Sequence, residues 1–135
     1  MFLLYHFGRM RSKFAELLES NSDAIIVGSI GTISYDLTEI EHPNKILIRG
    51  AMGAALGCGL GVALATDKQV IVIIGDGSYL MKMGSISTIL RHKLPNLRVI
   101  IINNNSYKSC GGQSTNFKYL INEKAIPFET LSFES

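Results

Sequence analysis

The chain has 135 residues, 47% of them hydrophobic and 18% charged, which suits one domain with its own core and is too short for two. Its 13 Lys and Arg against 11 Asp and Glu leave a net charge of +2. The positive residues are dispersed, so no nucleic-acid surface is expected. Cys58 and Cys110 form neither a CxxC pair nor a disulfide framework, which favours a reduced, cytoplasmic location. The short apolar start, residues 1–7, does not resemble a signal peptide.

Apolar runs and helical patterns alternate along the chain. Helices are predicted over residues 12–19, about 51–66, 79–93 and 117–124, and strands over residues 24–27, 45–48, 69–74, 97–102 and 128–133. In the third helix Leu80, Met83, Ile86 and Leu90 are expected to share the core face. Continuously apolar strands separated by helices predict an α/β fold, a three-layer α/β/α sandwich with a mostly parallel sheet.

One stretch requires a comparison with membrane helices. Residues 51–66 carry no charge, and Gly53, Gly57 and Gly61 recur at every fourth position, as in packed transmembrane helices. A spanning helix needs roughly 20 apolar residues, and this run of 16 is shorter. A buried helix of a soluble domain is therefore predicted, with another backbone or a ligand close to the glycine face.

Polar side chains follow two neighbouring predicted strands. Asp76, between Gly75 and Gly77, ends the third strand, and Asn104 follows the fourth, 28 positions later. Parallel strands joined by a helix end at the same edge of a sheet, so the carboxylate and the amide should converge. Hard cations such as Mg²⁺ prefer oxygen ligands and often share a bound phosphate. The pair predicts half of a magnesium-diphosphate site.

Four loops leave predicted strand ends: residues 28–31, 50–53, 75–78 and the Asn-rich residues 103–116. Ligands of open parallel sheets bind at such an edge, and glycines let the backbone approach a phosphate closely. Ser78 is expected to cap the following helix. No GxGxxG spacing and no Walker lysine accompanies these loops, so nicotinamide dinucleotide and P-loop sites are disfavoured.

The joined motifs Gly75-Asp-Gly-Ser78 and Asn103-Asn-Asn105 resemble the cofactor motif of thiamine-diphosphate-dependent enzymes, and the similarity covers residues 24–116. Finer features within residues 50–53, 75–81 and 104–113 are most similar to the cofactor-binding half of sulfopyruvate and phosphonopyruvate decarboxylases. The resemblance implies a thiamine-diphosphate-binding fold, thiamine diphosphate and Mg²⁺ as cofactors, and decarboxylation of a small anionic 2-oxo acid.

The resemblance also implies two sets of site residues. Magnesium would be held by Asp76, the Asn104 side chain and the Ser106 carbonyl. The organic cofactor would be bound by Ser29, Gly50, Met52, Gly75, Gly77, Ser78, Asn104 and Tyr107. Within this set the Gly50 carbonyl accepts from the aminopyrimidine, Met52 wedges beneath the bent cofactor, and Gly77 and Ser78 contact the diphosphate. A core methionine is the alternative for Met52.

Family members take an activating glutamate from a pyrimidine-binding domain that this chain is too short to contain. No catalytic residue is therefore assigned, and the resemblance implies a pyrimidine-binding, alpha-type partner subunit in a hetero-oligomer. Loop 103–116 would order over the diphosphate, with Gly111 and Gly112 as its hinge. Lys108 could meet an anionic substrate, and Cys110, where relatives are expected to have threonine, is predicted to be a buried free thiol.

Three functions remain open from the sequence. The first is a 2-oxoacid decarboxylase subunit. The second is another thiamine reaction, either carboligation or the beta subunit of a 2-oxoacid oxidoreductase. The third is a noncatalytic relic that binds cofactor or partner. The single domain, residues 1–135, is expected to be a shortened variant or a fragment, because the family's domain usually continues past Phe133.

Overall fold

A computed structural model describes residues 2–120 and 128–132, with side chains from residue 10 onward. The strands are β1 (Ile25–Gly28), β2 (Lys45–Leu47), β3 (Val70–Gly75), β4 (Leu97–Asn103) and β5 (Glu129–Ser132). The helices are α1 (Phe2–Ser20), α2 (Thr32–Thr38), α3 (Ala54–Ala65), α4 (Asp76–Met81), α5 (Gly84–His92) and α6 (Phe117–Leu120), and a 3₁₀ turn covers Lys108–Cys110.

The five described strands form one parallel sheet in the order β2-β1-β3-β4-β5. The central strand β3 pairs with β1 on one side and with β4 on the other, from Val70 opposite Leu97 to Gly75 opposite Ile102. Since β3 is covered on both faces, its apolar run needs no polar alternation. The five predicted strands are confirmed, apart from small shifts at their ends and position 133, which lies outside the described residues.

Two apolar clusters cover the two faces of the sheet. Alternate β3 residues point to opposite faces, so Val70, Val72 and Ile74 pack in one cluster while Ile71 and Ile73 pack in the other. Helices α3, α4, α5 and α6 contribute to the first cluster, and α1 and α2 contribute to the second. The predicted three-layer α/β/α sandwich is confirmed.

Helix α3 packs directly on the sheet. A Cβ atom added to Gly59 would collide with the Val72 side chain, so glycine is what allows the close contact. Of the three glycines predicted to allow a close approach, Gly53 does so, since a Cβ atom there would lie 2.7 Å from the Ser78 carbonyl oxygen, whereas Gly57 and Gly61 have no neighbouring atom within 4 Å at that position. Within the described ranges no helix combines the length and the apolar character that a membrane span requires.

The helices α1 and α2, which cover one face of the sheet, differ in extent from the sequence-based prediction. Helix α1 begins at Phe2, ten residues before the predicted start. Helix α2 is not among the predicted helices, and its buried Ile33 and Leu37 are one helical turn apart. Two apolar positions in seven residues are too few to give a clear periodic pattern.

The helix predicted over residues 79–93 is two helices, α4 and α5, separated at Lys82 and Met83. Ile89 is buried, whereas Met83 and Leu90 of the predicted core face are exposed. Helix 117–124 is described only to Leu120, and its predicted remainder lies outside the described residues.

Candidate functional site

A cleft lies at the carboxyl edge of the sheet, where the chain order reverses. From β1 the chain passes to β2 on one side and then to β3 on the other, which makes the gap between β1 and β3 the switch point where open α/β sheets bind ligands. Walls come from the turn after β1, from Met52, from the start of α4 and from the loop after β4. Among the predicted site residues, Met52, Gly75, Asp76, Gly77, Ser78, Asn104, Ser106 and Tyr107 line this cleft.

Asp76 is the first residue of α4 and is only 2% exposed. The Thr115 hydroxyl donates to its Oδ2 across 2.6 Å, and Thr115 is itself buried. A hydroxyl bonded to a carboxylate at this distance is a strong, charge-assisted hydrogen bond. The site therefore contains a buried acidic oxygen pair, one oxygen of which already has a protein donor.

Asn104 and Ser106 lie on the same turn after β4. The Ser106 N–H donates to Asn104 Oδ1 across 3.0 Å, which leaves the second lone pair of that amide oxygen available. Asn105 between them has φ 55°, a left-handed conformation that asparagine tolerates. The turn folds the chain back and places both residues on the cleft wall with Asp76.

Ser106 pairs with Ser114 in an isolated antiparallel bridge. The bridge consists of Tyr107 N–H donating to Gln113 O at 2.8 Å and Thr115 N–H donating to Asn105 O at 3.1 Å. The two serines are thus a non-hydrogen-bonded pair of the ladder, whose own backbone groups do not bond each other. The bridge therefore does not occupy the Ser106 carbonyl.

Residues from the loops after β2 and β4 pack on Gly77, which follows β3. A Cβ atom there would lie 2.6 Å from Tyr107 Cε1 and 3.1 Å from Met52 Cε, so residues following β2 and β4 both press on the start of α4. Only glycine fits this position without movement of the Tyr107 ring. Gly77 is itself buried, and a thioether and an aromatic ring flank it.

Two predicted site residues lie off the cleft wall. Ser29 is 1% exposed, and its Oγ has no hydrogen-bond partner within the described parts of the chain. Gly50 is exposed on the loop after β2. Ser78 does not act as a helix cap as predicted, since α4 already begins at Asp76 and its N-cap residue is Gly75. Buried at 3% exposure, Ser78 lies in the first turn instead.

The loop after β4 crosses the mouth of the cleft. Its 3₁₀ turn reaches Gly31, where an added Cβ would lie 3.2 Å from Ser109 Oγ. Gly111 and Gly112 adopt φ 113° and 80°, which glycine alone adopts readily. Cys110 is an exposed free thiol, so its predicted burial is wrong. The exposed Lys108 lines the cleft with it.

Sequence reasoning overlooked Thr115. It follows a polar, glycine-rich loop, and no local pattern marks it as the partner of a carboxylate 39 positions earlier. The nearest signal is Phe117, a buried aromatic that packs edge-on against Tyr79 with 5.9 Å between ring centroids. Phe117 brings the end of the loop back to α4.

A second buried aspartate, Asp36 of α2, lies away from the cleft. Arg11 Nη2 is 3.8 Å from Asp36 Oδ1, and that oxygen has no hydrogen-bond donor in the described regions. Burial raises the pKa of Asp36 to about 6, although the Arg11 charge acts in the opposite direction.

No described residues form a cluster of three His, Cys, Asp or Glu side chains suited to a metal. Neither of the two histidine side chains that the structure describes lines the cleft. His42 Nε2 lies 3.0 Å from the Asn21 carbonyl, and its Nδ1 accepts from Asn44 N–H at 3.2 Å, so this ring holds two loops together. His92 is exposed at the end of α5, while the His6 side chain lies outside the described set.

Comparison with known proteins places the same residues in a family context. A family model described as "Thiamine pyrophosphate enzyme, C-terminal TPP binding domain" matches residues 27–131. Phosphonopyruvate decarboxylase of Streptomyces viridochromogenes is 40% identical over 100 residues, which are 73% of this chain and 25% of that protein. The matched region includes the strands and loops that form the cleft.

Two relatives are named as subunits. Sulfopyruvate decarboxylase subunit beta of Methanocaldococcus jannaschii is 44% identical over 92 residues, covering 67% of this chain and 49% of the relative. The subunit of the same name from Methanococcus maripaludis is 39% identical over 100 residues, covering 73% and 54%. The chain thus spans about half the length of these two beta subunits.

Proposed function

The chain belongs to the thiamine pyrophosphate enzymes, through their C-terminal cofactor-binding domain, and from this premise we propose that it is a subunit of a 2-oxoacid decarboxylase. The subunit binds thiamine diphosphate and Mg²⁺, and the substrate is a small anionic 2-oxo acid of the sulfopyruvate or phosphonopyruvate type. The relatives bearing those two names support this choice of substrate.

The observation that carries the proposal is the shared cleft of Asp76, Asn104 and Ser106. One carboxylate oxygen, one amide oxygen with a spare lone pair and one backbone carbonyl outside the bridge are hard donors of the kind Mg²⁺ prefers. Mg²⁺ usually completes its octahedron with phosphate oxygens and water. The donor set therefore fits a magnesium ion that tethers a diphosphate.

The surroundings of Gly77 fit the rest of the cofactor. The first N–H groups of a helix have no acceptor within it, so those of Gly77 and Ser78 suit a diphosphate. Met52 and Tyr107 flank Gly77, which supports the roles of Met52 as a wedge between two rings and of Tyr107 as a cofactor contact. Gly75 ends β3, the buried Ser29 hydroxyl comes directly after β1, and Gly50 lies on the loop that carries Met52.

Thiamine diphosphate supplies the electron sink for loss of carbon dioxide, and the protein contributes binding, orientation and exclusion of water. Loop residues 108–110 cover the cleft from the β4 side, which limits access of water to the reacting carbon. Lys108 places a positive charge at the mouth, where a sulfonate or phosphonate would lie.

The proposal includes a partner subunit. No glutamate of the described chain lines the cleft, so the carboxylate that activates the pyrimidine ring is assigned to an alpha-type, pyrimidine-binding subunit. The subunit-beta names of two relatives support a hetero-oligomer. The cytoplasm is the proposed location, because both cysteines are free thiols.

Calorimetric titration with thiamine diphosphate, with Mg²⁺ and then with EDTA, tests cofactor binding. Binding is expected only in the presence of the metal. No binding in either condition, or equal binding in both, would contradict the proposal. Carbon dioxide release from sulfopyruvate and phosphonopyruvate is then measured with the coexpressed partner. Turnover is expected only in the complex, and substantial release by the chain alone would contradict the shared active site.

A further inference from the structure

The buried contact between Thr115 and Asp76 joins the far end of the cleft loop to the acidic residue of the site. The two side chains are 4% and 2% exposed, and their 2.6 Å hydrogen bond spans 39 positions of sequence. An ionised carboxylate can only accept hydrogen bonds, so the threonine hydroxyl is the donor. Thr115 thereby holds one lone pair of Asp76 Oδ2.

Thr115 is held in this place by its own backbone and by its neighbours. Its N–H donates to the Asn105 carbonyl at 3.1 Å, as one of the two bonds of the Ser106–Ser114 bridge. Two residues later, the Phe117 N–H donates to Thr115 Oγ1 at 3.4 Å, and the Phe117 ring packs against Tyr79 of α4. The hydroxyl is therefore oriented by contacts on both sides.

We propose that Thr115 is a positioning residue for the metal. By donating to Oδ2 it fixes the orientation of the Asp76 carboxylate, so that Oδ1 is directed to the metal, and it links occupation of the metal site to closure of loop 103–116. The bridge that Thr115 closes also shapes the turn with Asn104 and Ser106, so the predicted metal donors are fixed by one hydrogen-bonded unit. This inference rests on the proposed magnesium-diphosphate site.

The test measures the Mg²⁺ concentration that gives half-maximal thiamine diphosphate binding by the full chain. Hydrogen-bond partners of ligating carboxylates typically contribute about 10–100-fold to metal affinity. Thr115→Val, which keeps the shape and removes the hydroxyl, should raise the half-saturating Mg²⁺ concentration by about that factor. Thr115→Ser retains the donor and should restore a value near that of the unmodified chain.

Thr130→Val is the matched control. Thr130 lies on β5, and its buried Oγ1 has no hydrogen-bond partner in the described parts of the chain, so the same chemical change should leave Mg²⁺ dependence unaltered. Equal half-saturation for Thr115→Val and Thr130→Val would overturn the inference while leaving the proposed function intact. Failure of the unmodified chain to bind cofactor would remove the proposed function and this inference with it.

A measurement on the unmodified chain covers the case in which Thr115→Val does not fold. Hydrogen exchange of the Tyr107 and Thr115 amides reports the two bonds of the bridge. Saturation with Mg²⁺ and thiamine diphosphate should slow both amides, because the metal and the closed loop share Asp76. Exchange rates that are unchanged upon saturation would contradict the link between metal and loop.

Discussion

Two buried aspartates occupy very different regions of this molecule. Asp76 and Asp36 are both 2% exposed. Asp76 receives a hydroxyl hydrogen bond and lines the cleft, whereas Asp36 lies between α1 and α2 with Arg11 at 3.8 Å and an oxygen that lacks a donor. Burial alone thus does not identify a ligand site. The distinguishing features are a cleft, additional oxygen donors and a hydrogen bond that orients the carboxylate.

The largest expected effect separates the two carboxylates by function. Asp76→Asn should weaken Mg²⁺-dependent thiamine diphosphate binding by more than about 100-fold, because it alters a ligand rather than a ligand's partner. Asp36→Asn should leave that affinity unchanged, since Asp36 is remote from the cleft wall. Calorimetric titration of both variants measures the difference. Comparable losses in the two variants would remove the distinction.

The second prediction concerns stability and pH. The pKa of Asp36 is about 6 in the folded chain against an ordinary 3.8, so between these values the folded state binds more protons than the unfolded state. The contribution of Asp36 to stability therefore falls as pH rises from about 4 to about 6, by up to about 3 kcal/mol at about 1.4 kcal/mol per pKa unit. Asp36→Asn should abolish this fall.

Urea unfolding of the unmodified chain and of Asp36→Asn across pH 4 to 7.5 measures that contribution as the difference between two curves. The variant should become the relatively more stable protein as pH rises, because the buried negative charge is gone. Parallel curves for the two proteins would show that Asp36 titrates normally.

The third prediction extends the comparison to the backbone around Asp76. Gly77→Ala introduces a methyl group 2.6 Å from the Tyr107 ring, and overpacking of this kind costs about 1–3 kcal/mol. Gly57→Ala is the control, because its added methyl in α3 meets no atom within 4 Å and should stabilise the helix by up to about 1 kcal/mol. In thermal unfolding, Gly77→Ala should lower the midpoint temperature and Gly57→Ala should raise it. If Gly77→Ala proved more stable than the unmodified chain, the contacts of Tyr107 and Met52 with Gly77 would not be tightly packed.

The smallest effect belongs to Arg11. Its guanidinium, 47% exposed, lowers the pKa of Asp36, so Arg11→Met should raise that pKa further. An ion pair exposed on one side contributes at most about 1 kcal/mol, which is the expected loss of stability at pH 7.5. The pH profile of unfolding should shift to higher pH in Arg11→Met. A profile that does not move would show that burial alone sets the pKa.

The different surroundings of Asp76 and Asp36 also explain why the position of Asp76 was predicted from the sequence and the burial of Asp36 was not. Asp76 follows a continuously apolar strand and is flanked by glycines, and the rule that parallel strands end at one edge is enough to predict that it lies near Asn104. Asp36 lies in a short polar stretch where a charged residue is ordinarily exposed. Its burial follows from α2, whose packing against α1 no local pattern reveals.

Other predictions were wrong for reasons of packing. The apolar spacing of residues 79–93 continues through Lys82 and Met83, so it does not reveal the break between α4 and α5. Gly53, Gly57 and Gly61 share a close-packing pattern, but only Gly53 meets nearby backbone, and Gly59, outside the pattern, makes the contact with Val72. Which side of a helix faces the sheet depends on how the whole helix lies against its neighbours.

The order of apolar runs and glycine-bounded turns was enough to predict a parallel α/β sheet, the edge at which the cleft lies, and the approach of Asp76 to Asn104 at that edge. That is because strand direction and alternation follow from local chemistry and chain connection. Met52, Ser106 and Tyr107 were predicted from the resemblance to the family. Only the tertiary structure brought Thr115 to Asp76 and placed Met52 and Tyr107 around Gly77. Those contacts join loops far apart in the chain, and their geometry depends on how every intervening element packs.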